Sequence, residues 1–297
     1  IGTWTLYSST TGSNNVALGK SALYNNTSAS DNTAVGYHAL VSNTTGASNT
    51  AVGKIALEDC TTGIKNTGIG MGAGMNITTG VSNVAVGYHS LNQNLTGGSN
   101  TALGMTALHL CTSSNNTGVG TQALYSMTSG GSNTAVGKDA GQAITTSGNN
   151  VAIGYQSQNS TNTGAGNTAV GTFSLAVNTT GSNNAALGLY ALYGSTTSSK
   201  NVAMGYRALA NHTTGDNNVA IGSDSLQATT YTGSDSTAVG MQAMFSATSA
   251  ASNVAVGKDS LYSTTTGSGC VGIGFEALYS NTDGANHTMV GYQAGKD

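Results

Sequence analysis

The 297-residue chain has no proline, and only 6% of its residues carry charge, leaving a formal net charge of −3. Eight scattered basic residues supply no basic face for nucleic acid. No apolar run approaches the ~20 residues of a membrane-spanning helix, so membrane insertion is not expected. Cys60, Cys111 and Cys270 are the only cysteines and form no CxxC pair, giving neither a disulfide framework nor a zinc site. The eleven acidic residues never recur as a pair within one repeat, which leaves paired-carboxylate hydrolysis without footing. Collagen needs proline and a glycine at every third place, and both are missing. Disordered chains are usually charged and proline-rich, which separates them from this one too.

What is present is repetition. The phrase NTAVGYHALVSNTTGAS at 32–48 returns at once as NTAVGKIAL from Asn49. Units start at 15, 32, 49, 66, 83, 100, 116, 133, 150, 167, 184, 201, 218, 236, 253, 270 and 287, a period of 17 broken by a 16-residue unit at 100–115 and an 18-residue unit at 218–235. Residues 1–297 therefore read as one repeat domain. Ile1 and Gly2 fall on the Val-Gly positions of an earlier unit, and the expectation is an excerpt of a longer fibre, since solenoids generally end in atypical capping repeats.

Counting each unit from its Asn, the fifth position is always glycine: Gly19, Gly36, Gly53, Gly70, Gly87, Gly104, Gly120, Gly137, Gly154, Gly171, Gly188, Gly205, Gly222, Gly240, Gly257, Gly274 and Gly291. These are the expected structural turns, where positive φ or close backbone approach is needed. The first position is Asn in 14 units, the third is Ala in 13 and Gly in three, the fourth is aliphatic or Met throughout, and the ninth is Leu in 12. Seventeen residues are too few for a helical pair, and the Gly, Thr and Val content disfavours helix. The unit suits two short strands and two turns. The fold class is thus all-β, a parallel β-solenoid flattened into a β-roll of about 17 coils, a rod on the order of 80 Å long at ~4.8 Å per strand. The first-position Asn residues are placed to form an amide ladder along the stack.

The fourth and ninth positions, such as Val35 and Leu40, are expected to fill the roll. Alanines at three and eight, such as Ala34 and Ala39, are expected to admit a second chain, because a strand restricted on both faces reads as buried on both. The predicted partner is therefore another copy of the chain. In two units the ninth-position Leu becomes Gly74 or Gly141 and the twelfth becomes Ile77 or Ile144, so apolar bulk moves rather than vanishes. Gln158 at the ninth position has no such compensation, which marks its coil as the weakest.

Signs of chemistry are few. GIGMGAG at 68–74 looks like a phosphate loop but has no strand–helix context. His38 and His89 share the seventh position three coils apart and cannot close a metal site within one chain. Lys138-Asp139 and Lys258-Asp259 read as solvated pairs. Tyr37, Tyr88, Tyr155 and Tyr206 share position six, and Tyr24, Tyr125, Tyr262 and Tyr279 share position ten; they are the candidates for surface binding of a glycan or receptor. No catalytic residue, metal site or cofactor is predicted.

NVAIG at 150–154 and 218–222, NVAVG at 83–87 and 253–257, and the Ala or Ser three residues after each Gly resemble the head repeats of YadA-like trimeric autotransporter adhesins. The longer phrase, NTAVGYHAL followed by NTTG, is similar to repeat tracts of phage tail-fibre-like and surface proteins. The resemblance implies a left-handed β-roll in each of three chains, and a fibre or adhesin shaft outside the cell, at its surface or on a virion. Two alternatives remain open: an ice-binding solenoid, because threonines recur at positions thirteen and fourteen, and a glycan-binding one.

Overall fold

The computed structural model describes residues 1–160 and 163–297. It is all-β, with seventeen three-residue strands, one per repeat, and no helix among the described residues. The chain divides into two compact units, residues 1–149 and 150–297. The first holds β1 (Val16–Leu18) to β8 (Thr134–Val136); the second holds β9 (Val151–Ile153) to β17 (Thr288–Val290). Within each unit successive strands pair in parallel with like positions aligned. Thr33, Ala34 and Val35 face Thr50, Ala51 and Val52 in the first, and Val202, Ala203 and Met204 face Val219, Ala220 and Ile221 in the second. Each repeat is therefore one solenoid coil.

Only one strand forms per coil, not the two expected. Past the glycine the chain runs through successive turns, because the seventh and ninth residues take left-handed conformations, as His38 (φ 57°) and Leu40 (φ 51°) do. Each such non-glycine residue costs of order 1–3 kcal/mol. The arrangement offsets this by pairing much of the turn backbone. Even positions bond back within the coil, with Ala39 N–H donating to Gly36 O (3.4 Å) and Val41 N–H to His38 O (3.3 Å). Odd positions bond to neighbouring coils, with His38 N–H donating to Lys20 O (3.0 Å) and Leu40 N–H to Ala56 O (3.1 Å). Buried backbone groups must be paired, and alternating turns do this while bending the chain around a single interior Leu.

The interior reverses the expected sidedness of the strand. Ala34, Ala51 and Ala85 are fully buried inside their unit, as are the eighth- and ninth-position Ala39, Leu40, Ala56 and Leu57. The fourth-position side chains instead point outward, and Val52 is 36% exposed. Alanines at three and eight therefore do not form an interchain surface; they line the coil. The reason is width. The third position faces the Leu so closely that, where Gly68 replaces the Ala, even a Cβ would sit 2.8 Å from Leu57 Cγ, and this coil admits no methyl without a shift.

A buried asparagine row binds the coils together. Asn49 N–H donates to Asn32 Oδ1 (2.9 Å), Asn66 N–H to Asn49 Oδ1 (2.9 Å) and Asn83 N–H to Asn66 Oδ1 (3.0 Å). Each amide nitrogen then turns to its own coil's NTTG-type turn, as Asn32 Nδ2 does to Gly46 O (2.9 Å) and Asn49 Nδ2 to Gly63 O (2.8 Å). The same pattern runs through Asn167, Asn184, Asn201 and Asn218 in the second unit. Exchanges along the row keep a polar atom in place: Ser236 Oγ accepts from Asn253 N–H (3.3 Å), and Cys270 Sγ lies 3.1 Å from Gly284 O.

Two sequence variations find physical explanations. Ile77 and Ile144 are fully buried, and their Cδ1 atoms lie 3.0 Å from where a Cβ on Gly74 or Gly141 would be, so they occupy the space that Leu fills elsewhere. Gln158 is also drawn inside, 1% exposed. Its Nε2 donates to Asn150 Oδ1 (3.2 Å), while its Oε1 has no partner. The twelfth position of that coil, residue 161, lies outside the described residues. Since an unsatisfied buried acceptor costs ~1–3 kcal/mol, Gln158→Leu is expected to stabilise the second unit by about 1–2 kcal/mol, measured as a rise in urea midpoint.

Candidate functional site: the outer faces of the coils

Each strand turns its second and fourth residues away from the interior, and stacking makes two rows of them. The second position carries Thr or Val in every coil but one, which has Ala185. The fourth carries Val52, Ile69 and Leu103 in the first unit, and Ile153, Leu187 and Met204 in the second, all between 36% and 45% exposed. One exposed or half-buried apolar side chain per coil, in register and uninterrupted by charge within a unit, makes an apolar strip of the kind that marks an interaction surface.

The opposite side, built from positions six to eleven, carries the aromatic residues. A residue at position seven meets the tenth-position residue of the next coil: His38 Nδ1 lies 3.2 Å from Glu58 Oε1, Gln142 Nε2 donates to Gln122 Oε1 (3.0 Å), and the His89 and His109 rings are 6.3 Å apart. Burial, then the neighbouring His109, hold His89 below the usual imidazole range. The tyrosines singled out from the sequence separate into rows. Tyr37, Tyr88, Tyr155 and Tyr206 are exposed; Tyr37 stacks on His38 with centroids 4.0 Å apart, and the Arg207 guanidinium lies over Tyr206 at 5.8 Å. Tyr24, Tyr125, Tyr262 and Tyr279 are half-buried. Tyr24 stacks with Tyr7, Tyr125 with His109, and Phe245, Tyr262 and Tyr279 form a three-ring stack with centroids 5.2 and 5.0 Å apart. These tyrosines do not converge on a single site.

The threonine row is committed to the backbone. Thr27 Oγ1 donates to Thr44 O (3.0 Å), Thr44 Oγ1 to Thr61 O (3.1 Å), and Thr248 Oγ1 to Thr265 O (3.0 Å). Lys138 and Lys258 reach solvent as expected, but their partners do not: Asp139 and Asp259 are 6% and 8% exposed, with ammonium–carboxylate distances of 3.9 and 3.5 Å. Both carboxylates sit at the seventh position, where the left-handed turn tucks them against the coil.

All three cysteines are buried and free. Burial pushes the Cys60 thiol up to about 11, against the opposing contact with Gly63 O. Its thiolate fraction at pH 8 is on the order of one in a thousand. Iodoacetamide at pH 8 is therefore expected to leave Cys60 unmodified in the folded protein and to label it within minutes in urea, as read by intact mass. Two buried residues escaped the sequence reading, His212 and Tyr231. Tyr231 is fully buried within the 18-residue unit and donates to Ala250 O (3.0 Å); His212 Nε2 bonds Gly215 O, and burial holds its imidazole below the usual range. The length change at 218–235 was the only signal for Tyr231.

No protein-family model matches the chain, and no curated protein matches it.

Proposed function

We propose that the chain is a segment of a structural fibre, a stiff shaft or adhesin spacer outside the cell or on a virion. In this reading the coils are flattened and left-handed, and three copies associate through their outer strand faces. The observation that carries it is the aliphatic strip at position four, which is solvated in a single chain and has the regularity of an interface. Rigidity within each unit has a source in the Asn and Thr rows, which add side-chain bonds between coils to the backbone ladder. The action is mechanical, needing neither catalysis nor a cofactor. Resemblance of the NVAIG and NVAVG segments to adhesin head repeats supports the same reading. Ice binding fits less well at position thirteen, where the threonine hydroxyl hydrogens are already donated to carbonyls.

Sedimentation equilibrium tests the reading. The purified chain is expected at three times its 29.4 kDa mass. Lysine at Val52, Leu103 and Leu187 together is expected to weaken association at least tenfold without unfolding the coils, since buried unpaired ammonium groups cost several kcal/mol. A stable 29.4 kDa species for the unaltered chain contradicts the proposal.

A further inference from the structure

Position ten of the second unit is aromatic at Tyr193, Phe245, Tyr262 and Tyr279 and carries Asn159, Ala176, Ala210, Gln227 and Lys296 elsewhere; the gap between Tyr193 and Phe245 has the features of a binding site. Tyr193 and Phe245 hold this position in the coils starting at 184 and 236. Between them stand Ala210 and Gln227, which are 5% and 6% exposed. Three coil steps separate the two aromatic residues, ~14 Å at strand spacing, so two ring layers of the row are left open. Two clefts occupy this notch and share Arg207 and Asn211: one of 230 Å³ against Tyr190, Tyr193 and Tyr206, and one of 370 Å³ against Gln227, Thr229 and Phe245.

The groups that line it fall into two chemical kinds. Phe245 lies within 5° of parallel to Tyr262, with centroids 5.2 Å apart, close to one coil step. One face of the ring is turned to Tyr262 and the other toward the neighbouring coil on the notch side, where Gln227 supplies no ring. The polar kind is amide. The Gln227 side chain is almost buried, and its backbone carbonyl accepts from Asn211 Nδ2 (3.3 Å). Arg207 Nε lies 3.6 Å from Asp224 Oδ1, and this pairing makes the only charges at the notch nearly cancel.

We propose that this notch binds a neutral oligosaccharide, one pyranose lying on the free face of Phe245 and its neighbour reaching toward Tyr193. Pyranose C–H groups suit an aromatic face, and ring hydroxyls suit a side-chain amide, which donates and accepts at once. The balanced Arg207–Asp224 pair offers donors and acceptors to a diol and no net attraction for an acid. Third-position side chains pack against the ninth-position Leu across the coil, so the notch lies on the side away from the outer strand strip. It is not part of that strip, and the proposal does not depend on the fibre reading.

Titration calorimetry on the whole chain tests it, with maltotriose, cellotriose, chitotriose and galactobiose as neutral probes and digalacturonic acid as the acidic one. At least one neutral probe is expected to bind. Phe245→Ala should weaken that binding about tenfold. Gln227→Tyr and, separately, Ala210→Tyr should abolish it, because each restores a ring to the row and fills the notch; the thermal midpoint of each variant shows which of them has folded. Binding of the acidic sugar alone, binding unchanged in a folded tyrosine variant, or no binding of any neutral probe would each overturn the proposal.

Discussion

Gly205→Val is expected to remove the folded state of the second unit at room temperature, or to lower its stability by about 4–5 kcal/mol, the range of a severe backbone substitution. Two causes act together. Gly205 has φ +131°, a conformation costly for any residue with a Cβ and worse for a β-branched one. A Cβ there would also lie 2.7 Å from Gly222 O and 2.8 Å from Gly222 C. The backbone cannot retreat, because Gly205 N–H is bonded to Leu187 O and Gly222 N–H to Met204 O, both at 2.8 Å. Gly131→Ala serves as the contrast: its Cβ would meet only Ser114 O, at 3.3 Å, and a loss below ~1 kcal/mol is expected. Urea unfolding followed by circular dichroism measures both. A Gly205→Val protein with unchanged midpoint would mean that the coils do not stack glycine on glycine.

Asn184→Leu is expected to cost nearly as much, about 3–5 kcal/mol, although it adds apolar volume to a buried site. Asn184 Oδ1 accepts from Asn201 N–H (3.0 Å), and its Nδ2 donates to Ser198 O (2.8 Å) and to Asn167 Oδ1 (3.2 Å). Leucine leaves these groups unpaired in a dry interior, at ~1–3 kcal/mol for each one stranded. Asn184→Ser should be milder, because Ser236 already holds the row together at the equivalent place with its hydroxyl. Equal losses for Leu and Ser in the same unfolding experiment would show that the row contributes shape and not hydrogen bonds.

The parts of this architecture that were legible are those that repetition writes plainly. A glycine in every unit at the fifth position, and Asn in 14 at the first, could be read as a bend and a ladder because each has one physical use in a stack. Sidedness was misread at Val35 and Ala34. The reading assigned bulk to the interior, whereas a coil this narrow holds one layer of Leu against one layer of methyl groups. The signal lay in the third position, which tolerates only the two smallest residues in nearly every unit; a size limit that strict marks the tightest place in the molecule. The missing second strand was not legible, since Leu40 and His38 give no sequence sign of left-handed conformation. Position twelve hid for another reason. It is buried in Asn26, Cys60, Ile77 and Met127 alike, so no single polarity marks it. The notch beside Phe245 is defined by Ala210 and Gln227, where rings are absent, and a search for recurring aromatics passes over it.

The account stands or falls on which face of the strand meets another chain. Thiol labelling of Leu103→Cys and Leu187→Cys measures this directly, because both leucines are 45% exposed in the single chain and the three native cysteines are buried. The account predicts slow labelling at concentrations where the protein is associated, becoming fast on dilution to dissociated chains. Fast labelling of both sites at every concentration would contradict it.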